Sequence, residues 1–183
     1  MKQLLLICAV VVVGCGEKKE DGNTSVVKPN LPSPKAVVEE AIRKAAKKPT
    51  GELTKEDYEK VRRLDLSFKK LTDVKGLEKL DQLTWLNLNG NKLTDVTSLE
   101  KLTQLRALDL DHNQLTSVKG LEKLNKLTFL NLSANRLTEL PSLEKLTKLK
   151  TLRLWNNPAI PKAQIDELQK ALPNCEIRSN PTK

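Results

Sequence analysis

Three consecutive segments of 22 residues align without a gap, and they decide the fold. The segments are LTWLNLNGNKLTDVTSLEKLTQ (residues 83–104), LRALDLDHNQLTSVKGLEKLNK (105–126) and LTFLNLSANRLTELPSLEKLTK (127–148). A less regular copy occupies residues 61–82, and a partial copy occupies 149–160. Self-similarity at a period of this length predicts a stack of equivalent units, each packed against its neighbours.

The spacing of the leucines predicts how each unit is built. When the first residue of a unit is position one, positions four and six hold leucines two residues apart, which is the period of a strand with one buried face. Aliphatic residues at positions 11, 14, 17 and 20 then line the return path of the same coil. Positions three, five and seven are expected to alternate outward from the strand.

An asparagine recurs at position nine of units two to five, where each chain leaves its strand and turns inward. An amide side chain both donates and accepts hydrogen bonds, so it can satisfy turn backbone groups that are shut off from water. We therefore interpret these residues as a buried structural row rather than a ligand site. The row, called the asparagine ladder below, consists of Asn91, Asn113, Asn135 and Asn157.

The repeated pattern L-x-x-L-x-L-x-x-N-x-L resembles the leucine-rich repeat. Together with the lead-in ELTKED (residues 52–57) and the closing ALPNC (171–175), it makes the chain similar to the bacterial internalin-type leucine-rich repeat proteins. That resemblance implies an α/β fold, a short curved right-handed solenoid with a parallel β-sheet on its concave face and helical caps at both ends. It also implies binding of macromolecules, usually proteins, on the concave sheet, and no catalysis.

The segments that flank the repeats predict the domain organisation. A helical N-terminal cap is expected over residues 34–60, since Ser33 and Pro34 are typical of a helix start. The repeats themselves cover residues 61–160. A C-terminal cap and tail follow over 161–183, with a helix and a final short strand, and Cys175 is interpreted as a small buried hydrophobe.

The first residues are typical of an export signal. A basic start is followed by an apolar run too short to span a bilayer, which ends in Val12-Val13-Gly14-Cys15. This ending resembles a bacterial lipobox and implies a signal peptide over residues 1–14 and a lipid on Cys15. The polar residues 15–33 then read as a flexible tether. The alternative is an ordinary cleaved signal with an incidental cysteine.

Composition narrows the possible functions further. Lys and Arg number 32 against 23 Asp and Glu, so the formal charge is +9, which favours anionic partners or surfaces. A single His excludes catalytic schemes that need two. No phosphate-binding loop, nucleophile elbow or metal-binding motif is present, so we expect neither enzymatic activity nor a cofactor or metal. The export signal argues against nucleic-acid binding, and we expect a monomer.

The outward positions supply the candidate partner-binding residues. Three of the five aromatic residues of the chain, Trp85, Phe129 and Trp155, fall at these positions, and Phe68 lies beside them at position eight. Exposed aromatic rings either meet a partner or shield the sheet, and the sequence leaves both interpretations open. The candidate concave-face residues are Arg63, Asp65, Trp85, Asn87, Asp109, Asp111, Phe129, Asn131, Arg153 and Trp155.

Two minor alternatives concern the polar residues around the third strand. The oxygen atoms of Asp109, Asp111 and their asparagine neighbours could hold a hard cation such as calcium. Polar rows on parallel strands also hydrogen-bond to one another, however, and this is the interpretation we favour. His112 lies beside the cluster, and a lone exposed His of this kind is usually an ordinary surface residue.

The sequence thus predicts a binding module that is exported and held by a lipid at the bacterial cell membrane or outer membrane. Its partner is expected to be a protein recognised on the concave sheet. The alternative function is a structural role in the cell envelope, in which the basic surface contacts anionic polymers or lipids. The two functions can be distinguished by experiment, because binding that depends on exposed charges weakens as the salt concentration rises.

We expect Cys15→Ala to abolish lipidation, because the Cys15 sulfur is the atom that would carry the lipid. The variant should then leave the detergent-extracted membrane fraction or remain unprocessed. Mass spectrometry and membrane fractionation of wild type and variant measure both results. An unchanged mass and an unchanged membrane partition would contradict the lipoprotein hypothesis.

Overall fold

The structure is a computed structural model that describes residues 32–180. The predicted signal peptide, Cys15 and nearly all of the tether lie outside the described residues. Within residues 32–180, no helix combines the length and the apolar character needed to cross a membrane.

A single parallel sheet of six short strands runs the length of the repeats, in the order β1-β2-β3-β4-β5-β6. Equivalent positions of successive units lie side by side, so that Ala107 pairs with Trp85 on one side and with Phe129 on the other. The predicted solenoid fold is thereby confirmed. The strands are β1 (Arg63–Asp65), β2 (Trp85–Asn87), β3 (Ala107–Asp109), β4 (Phe129–Asn131), β5 (Thr151–Arg153) and β6 (Glu176–Arg178).

Short 3-10 helices form much of the return path of the first four units. The repeated Leu-Glu-Lys-Leu segment lies on this side, and its two leucines are completely buried in each unit. Glu78 accepts a hydrogen bond from the Gly76 N–H at 2.7 Å, and Glu122 does the same for Gly120 at 2.6 Å. The 3-10 helices are Leu77–Lys79, Thr97–Lys101, Leu121–Lys123 and Leu143–Lys145.

Two helices close the N-terminal end of the core. Helix α1 (Pro34–Ala46) begins after Ser33, whose hydroxyl accepts a hydrogen bond from the Ala36 N–H at 3.2 Å. Its buried residues Val38 and Ile42 belong to the same apolar core as the first repeat unit. The short helix α2 (Lys55–Glu59) follows.

Asp57 of α2 is the centre of a cluster of hydrogen bonds in this N-terminal cap. Its buried carboxylate accepts hydrogen bonds from Lys48 Nζ at 2.7 Å, from Lys60 Nζ at 3.0 Å and from the Thr54 N–H at 3.1 Å. These donors, Lys48 first, hold the pKa of the Asp57 carboxyl well below its ordinary value. The cap is therefore fixed by a hydrogen-bonded charge cluster as well as by apolar contacts.

The C-terminal end is closed by α3 (Lys162–Ala171) and β6. The helix begins at Lys162, and Pro161 provides the extended residue that precedes its first turn. The final strand pairs with β5, so the sheet has one more strand than the chain has repeat units. Cys175 is buried beneath this cap, and its burial raises the pKa of the thiol.

The asparagine ladder joins each unit to the one before it. The Asn113 amide nitrogen donates to the Leu110 carbonyl of its own unit at 3.1 Å and to the Leu88 carbonyl of the preceding unit at 3.0 Å. Its oxygen accepts from the Leu93 N–H at 3.0 Å. Asn91, Asn135 and Asn157 make the equivalent bonds in their own units.

We expect Asn113→Ala to lower the free energy of unfolding by about 1–3 kcal/mol, because it leaves buried backbone groups without partners. The matched control is Lys69→Ala, which truncates an exposed side chain at position nine of the first unit. This control should change stability by no more than about 0.5 kcal/mol. Urea denaturation of both variants measures the difference, and equal midpoints would contradict the structural role of the ladder.

Candidate functional site

One face of the sheet carries the outward positions of every unit, and it is called the concave face below. Its residues alternate with the buried leucines of the strands, as in β2, where Leu86 is buried between Trp85 and Asn87. Parallel pairing arranges these side chains in three rows with about 4.8 Å between neighbours. Row three is Arg63, Trp85, Ala107, Phe129 and Thr151; row five is Asp65, Asn87, Asp109, Asn131 and Arg153; row seven is Ser67, Asn89, Asp111, Ser133 and Trp155.

Two of the aromatic rings on this face are stacked against arginines. The Arg63 guanidinium lies 4.5 Å from the centre of the Trp85 ring, and the Arg153 guanidinium lies 5.2 Å from that of Phe129. Both rings are partly buried, whereas Trp155 is 42% exposed. The rings are therefore held in place by neighbours within the sheet and still present accessible surface.

In the first four units, the side chains of row five stabilise the turn that follows the strand. The Asp109 side chain accepts a hydrogen bond from the Asp111 N–H two residues further on, at 3.0 Å, and so closes the turn that ends the strand. Asp65, Asn87 and Asn131 accept the equivalent bond at 2.9–3.1 Å. An outward polar residue in the sequence is therefore not automatically a contact residue, because a turn of this kind also selects Asp or Asn.

Asn131 is more deeply buried than the other candidate residues. It is only 5% exposed, so it lies beneath the concave surface rather than on it. Arg63, Asp65 and Trp155 are exposed, and the remaining candidates, Trp85, Asn87, Asp109, Asp111, Phe129 and Arg153, are partly buried. The sequence pattern gives the direction of each side chain but not the depth at which its neighbours cover it.

Two carboxylates lie at the centre of the concave face. Burial raises the pKa of the Asp109 carboxyl above its ordinary value, and the charge of Asp111 acts in the same direction. His112 Nδ1 lies 2.9 Å from Asp111 Oδ1 without a well-aligned hydrogen bond. Among the described residues, no group of three or more Asp, Glu, His and Cys side chains converges in a way that could hold a metal ion.

Row seven contains polar atoms that the fold does not satisfy. Asn89 Oδ1, Asp111 Oδ1 and Ser133 Oγ are buried and have no hydrogen-bond partner within residues 32–180. These atoms lie in the turns that follow β2, β3 and β4, at equivalent positions of neighbouring units, so they form one line. Buried polar groups in proteins are nearly always paired, so this line of oxygens is a feature that requires an explanation.

Phe68 extends the aromatic surface at the edge of the concave face. It is 71% exposed and has a left-handed backbone, with φ of 55°. Its ring lies directly over Gly90, where a β-carbon would clash with it. The residue at position eight has a left-handed backbone in all five units. In the second unit this residue is Gly90, and the absence of a side chain there leaves room for the Phe68 ring. The sequence places Phe68 beside the outward rows but does not reveal this contact.

We expect Trp85→Ala and Phe129→Ala each to lower stability by about 1 kcal/mol, the scale of one arginine–aromatic contact at a partly exposed site. That loss corresponds to about 2–4 °C in the melting temperature of a domain of this size. Thermal melts measure it, with Thr151→Ala in the same row as the control. Losses of about 3–5 kcal/mol, typical of core aromatics, would assign the rings to packing rather than to a binding surface.

Comparisons with known proteins agree with this architecture. Residues 81–123 and 125–170 match two copies of the leucine-rich repeat family model. An internalin, InlF of Listeria monocytogenes, is similar in structure with a TM-score of 0.71 and 27% identity, covering 81% of this chain and 45% of InlF. A leucine-rich repeat protein of Leptospira interrogans gives 0.62 and 32%, covering 69% of this chain and 33% of that protein.

A more distant likeness extends to the TLR13–ssRNA13 complex, with a TM-score of 0.55 and 24% identity over 66% of this chain and 21% of TLR13; at that identity it concerns the fold alone. A comparison with curated protein sequences found no match. The chain spans less than half the length of each of these structural relatives. The repeats and the open six-stranded parallel sheet together show that the chain carries leucine-rich repeats and has the fold of the internalin-like solenoids.

Proposed function

We propose that this chain is a non-enzymatic binding module that is anchored to a bacterial membrane by a lipid on Cys15 and recognises a protein on its concave face. Leucine-rich repeat proteins typically mediate protein binding, which supports the general class. The membrane part of the proposal rests on the lipobox-like sequence Val12-Val13-Gly14-Cys15.

The observation that carries the proposal is the pair of arginine–aromatic stacks on the concave face. Trp85 with Arg63 and Phe129 with Arg153 present large side chains whose positions are already fixed by neighbours. Tryptophan, tyrosine and arginine dominate the binding energy of protein interfaces, and side chains ordered in advance lose less entropy on binding. Trp155 adds an exposed ring at the end of row seven.

The test is capture of a partner from a bacterial envelope extract with the full chain as bait. Trp85→Ala should reduce capture strongly, since truncation of an aromatic anchor commonly costs 2 kcal/mol or more in binding. The matched control is Lys101→Ala, an exposed residue on the 3-10 helix side of the coil. Capture by this control should equal that of the wild type.

The envelope alternative gives a different result in the same experiment. A protein that holds anionic polymers or lipids through its basic surface would be captured equally well by wild type and Trp85→Ala. Its binding would instead fall steeply as the salt concentration rises, because added ions screen exposed charges. That combination of results would overturn the concave-face proposal.

A further inference from the structure

The centre of the concave face has the shape of a notch. Ala107 is the smallest residue of row three and pairs on its two sides with Trp85 and Phe129. Strand spacing separates these two positions by about 10 Å, with the Ala107 methyl between them. The two rings and the partly exposed Ala107 between them define the notch.

One end of the notch is acidic. Asp109 follows Ala107 by two residues on the same face of β3, about 7 Å further along the strand. Asp111 follows at the next outward position, and its charge adds to the effect of burial in raising the pKa of Asp109. The notch therefore offers apolar contact at one end and negative charge at the other.

The fold leaves this negative charge incompletely matched. The two arginines of the outward rows, Arg63 and Arg153, are stacked on Trp85 and Phe129, and the charge of Arg153 lowers the pKa of Asp109 less than burial raises it. Asp111 Oδ1 faces His112 Nδ1 at 2.9 Å but accepts no well-aligned hydrogen bond, and the hydroxyl of the neighbouring Ser133, which is only 7% exposed, has no hydrogen-bond partner among residues 32–180. The carboxylate oxygens are acceptors and the Ser133 hydroxyl can accept as well as donate, so a ligand with N–H donors and a positive charge complements them.

We propose that the notch binds a lysine or arginine side chain of the protein partner. Its apolar stem lies over Ala107 between the two rings, and its charged end donates hydrogen bonds to the carboxylates of Asp109 and Asp111. This inference rests on the proposed concave-face function and adds the chemistry of the group that is recognised.

Two small probes separate charge from apolar contact, namely Nα-acetyl-lysine amide and the uncharged Nα-acetyl-norleucine amide. Each is titrated at neutral pH into the full chain labelled with ¹⁵N-tryptophan. The chain has two tryptophans, so the Trp85 signal reports on the notch and the Trp155 signal reports on the concave face outside the notch. The lysine probe should shift the Trp85 indole N–H signal, and the norleucine probe should bind about tenfold more weakly, as expected when a charged hydrogen bond is absent.

Asp109→Asn is the decisive variant, because Asn87 and Asn131 already make the same turn hydrogen bond at this position. It should keep the fold and weaken binding of the lysine probe about tenfold. The matched control is Asp81→Asn, the same change at an exposed carboxylate after the first 3-10 helix and outside the concave rows, which should bind like the wild type. Ala107→Leu should fill the notch and abolish the shift.

Equal affinity of the two probes, or of wild type and Asp109→Asn, would overturn the inference. Envelope capture then distinguishes this failure from failure of the proposed function. Loss of capture with Trp85→Ala but not with Asp109→Asn would leave concave-face binding intact and eliminate the cationic side chain as its target. Loss of capture with both variants, together with a preference for the lysine probe, would support the inference.

Discussion

The hydrogen bonds of the asparagine ladder are the interaction on which the rest of the structure depends. Each unit must turn inward immediately after its strand, and the turn leaves backbone carbonyl and N–H groups inside a core made of leucine. An unpaired backbone group in such a place is strongly unfavourable. Asn113 and its equivalents satisfy groups of their own unit and of the preceding one at once. The strands are therefore locked in register wherever the ladder is continuous.

That register gives the concave face its properties. Because equivalent positions lie side by side, a difference between neighbouring units becomes a feature of the surface. The small Ala107 between Trp85 and Phe129 makes a notch, and the absence of a side chain at Gly90 leaves room for the Phe68 ring. The features of the concave surface therefore come from residues that differ between units, because the residues that repeat form the core and the turns.

The same strand ends show how folding and recognition compete for polar residues. Asp109 closes a turn, as Asn87 and Asn131 do, yet it carries a charge that the turn does not require. Burial makes that charge unfavourable in the free protein. At this position the two neighbouring units use an amide, so the carboxylate adds a charge that the turn does not need, and this charge is the basis of the proposed cationic ligand.

The sequence by itself determined the fold, the strand positions and the side of the sheet on which each residue lies, because leucines at a fixed period have one way to become buried. It also indicated the internal role of Asn91, Asn113, Asn135 and Asn157. Tertiary structure alone decided which outward residues are accessible: Asn131 is covered, Phe68 rests on Gly90, and Arg63 and Arg153 stack on Trp85 and Phe129. These contacts join residues about 22 positions apart in the chain, and they depend on side-chain conformations that no repeat pattern encodes.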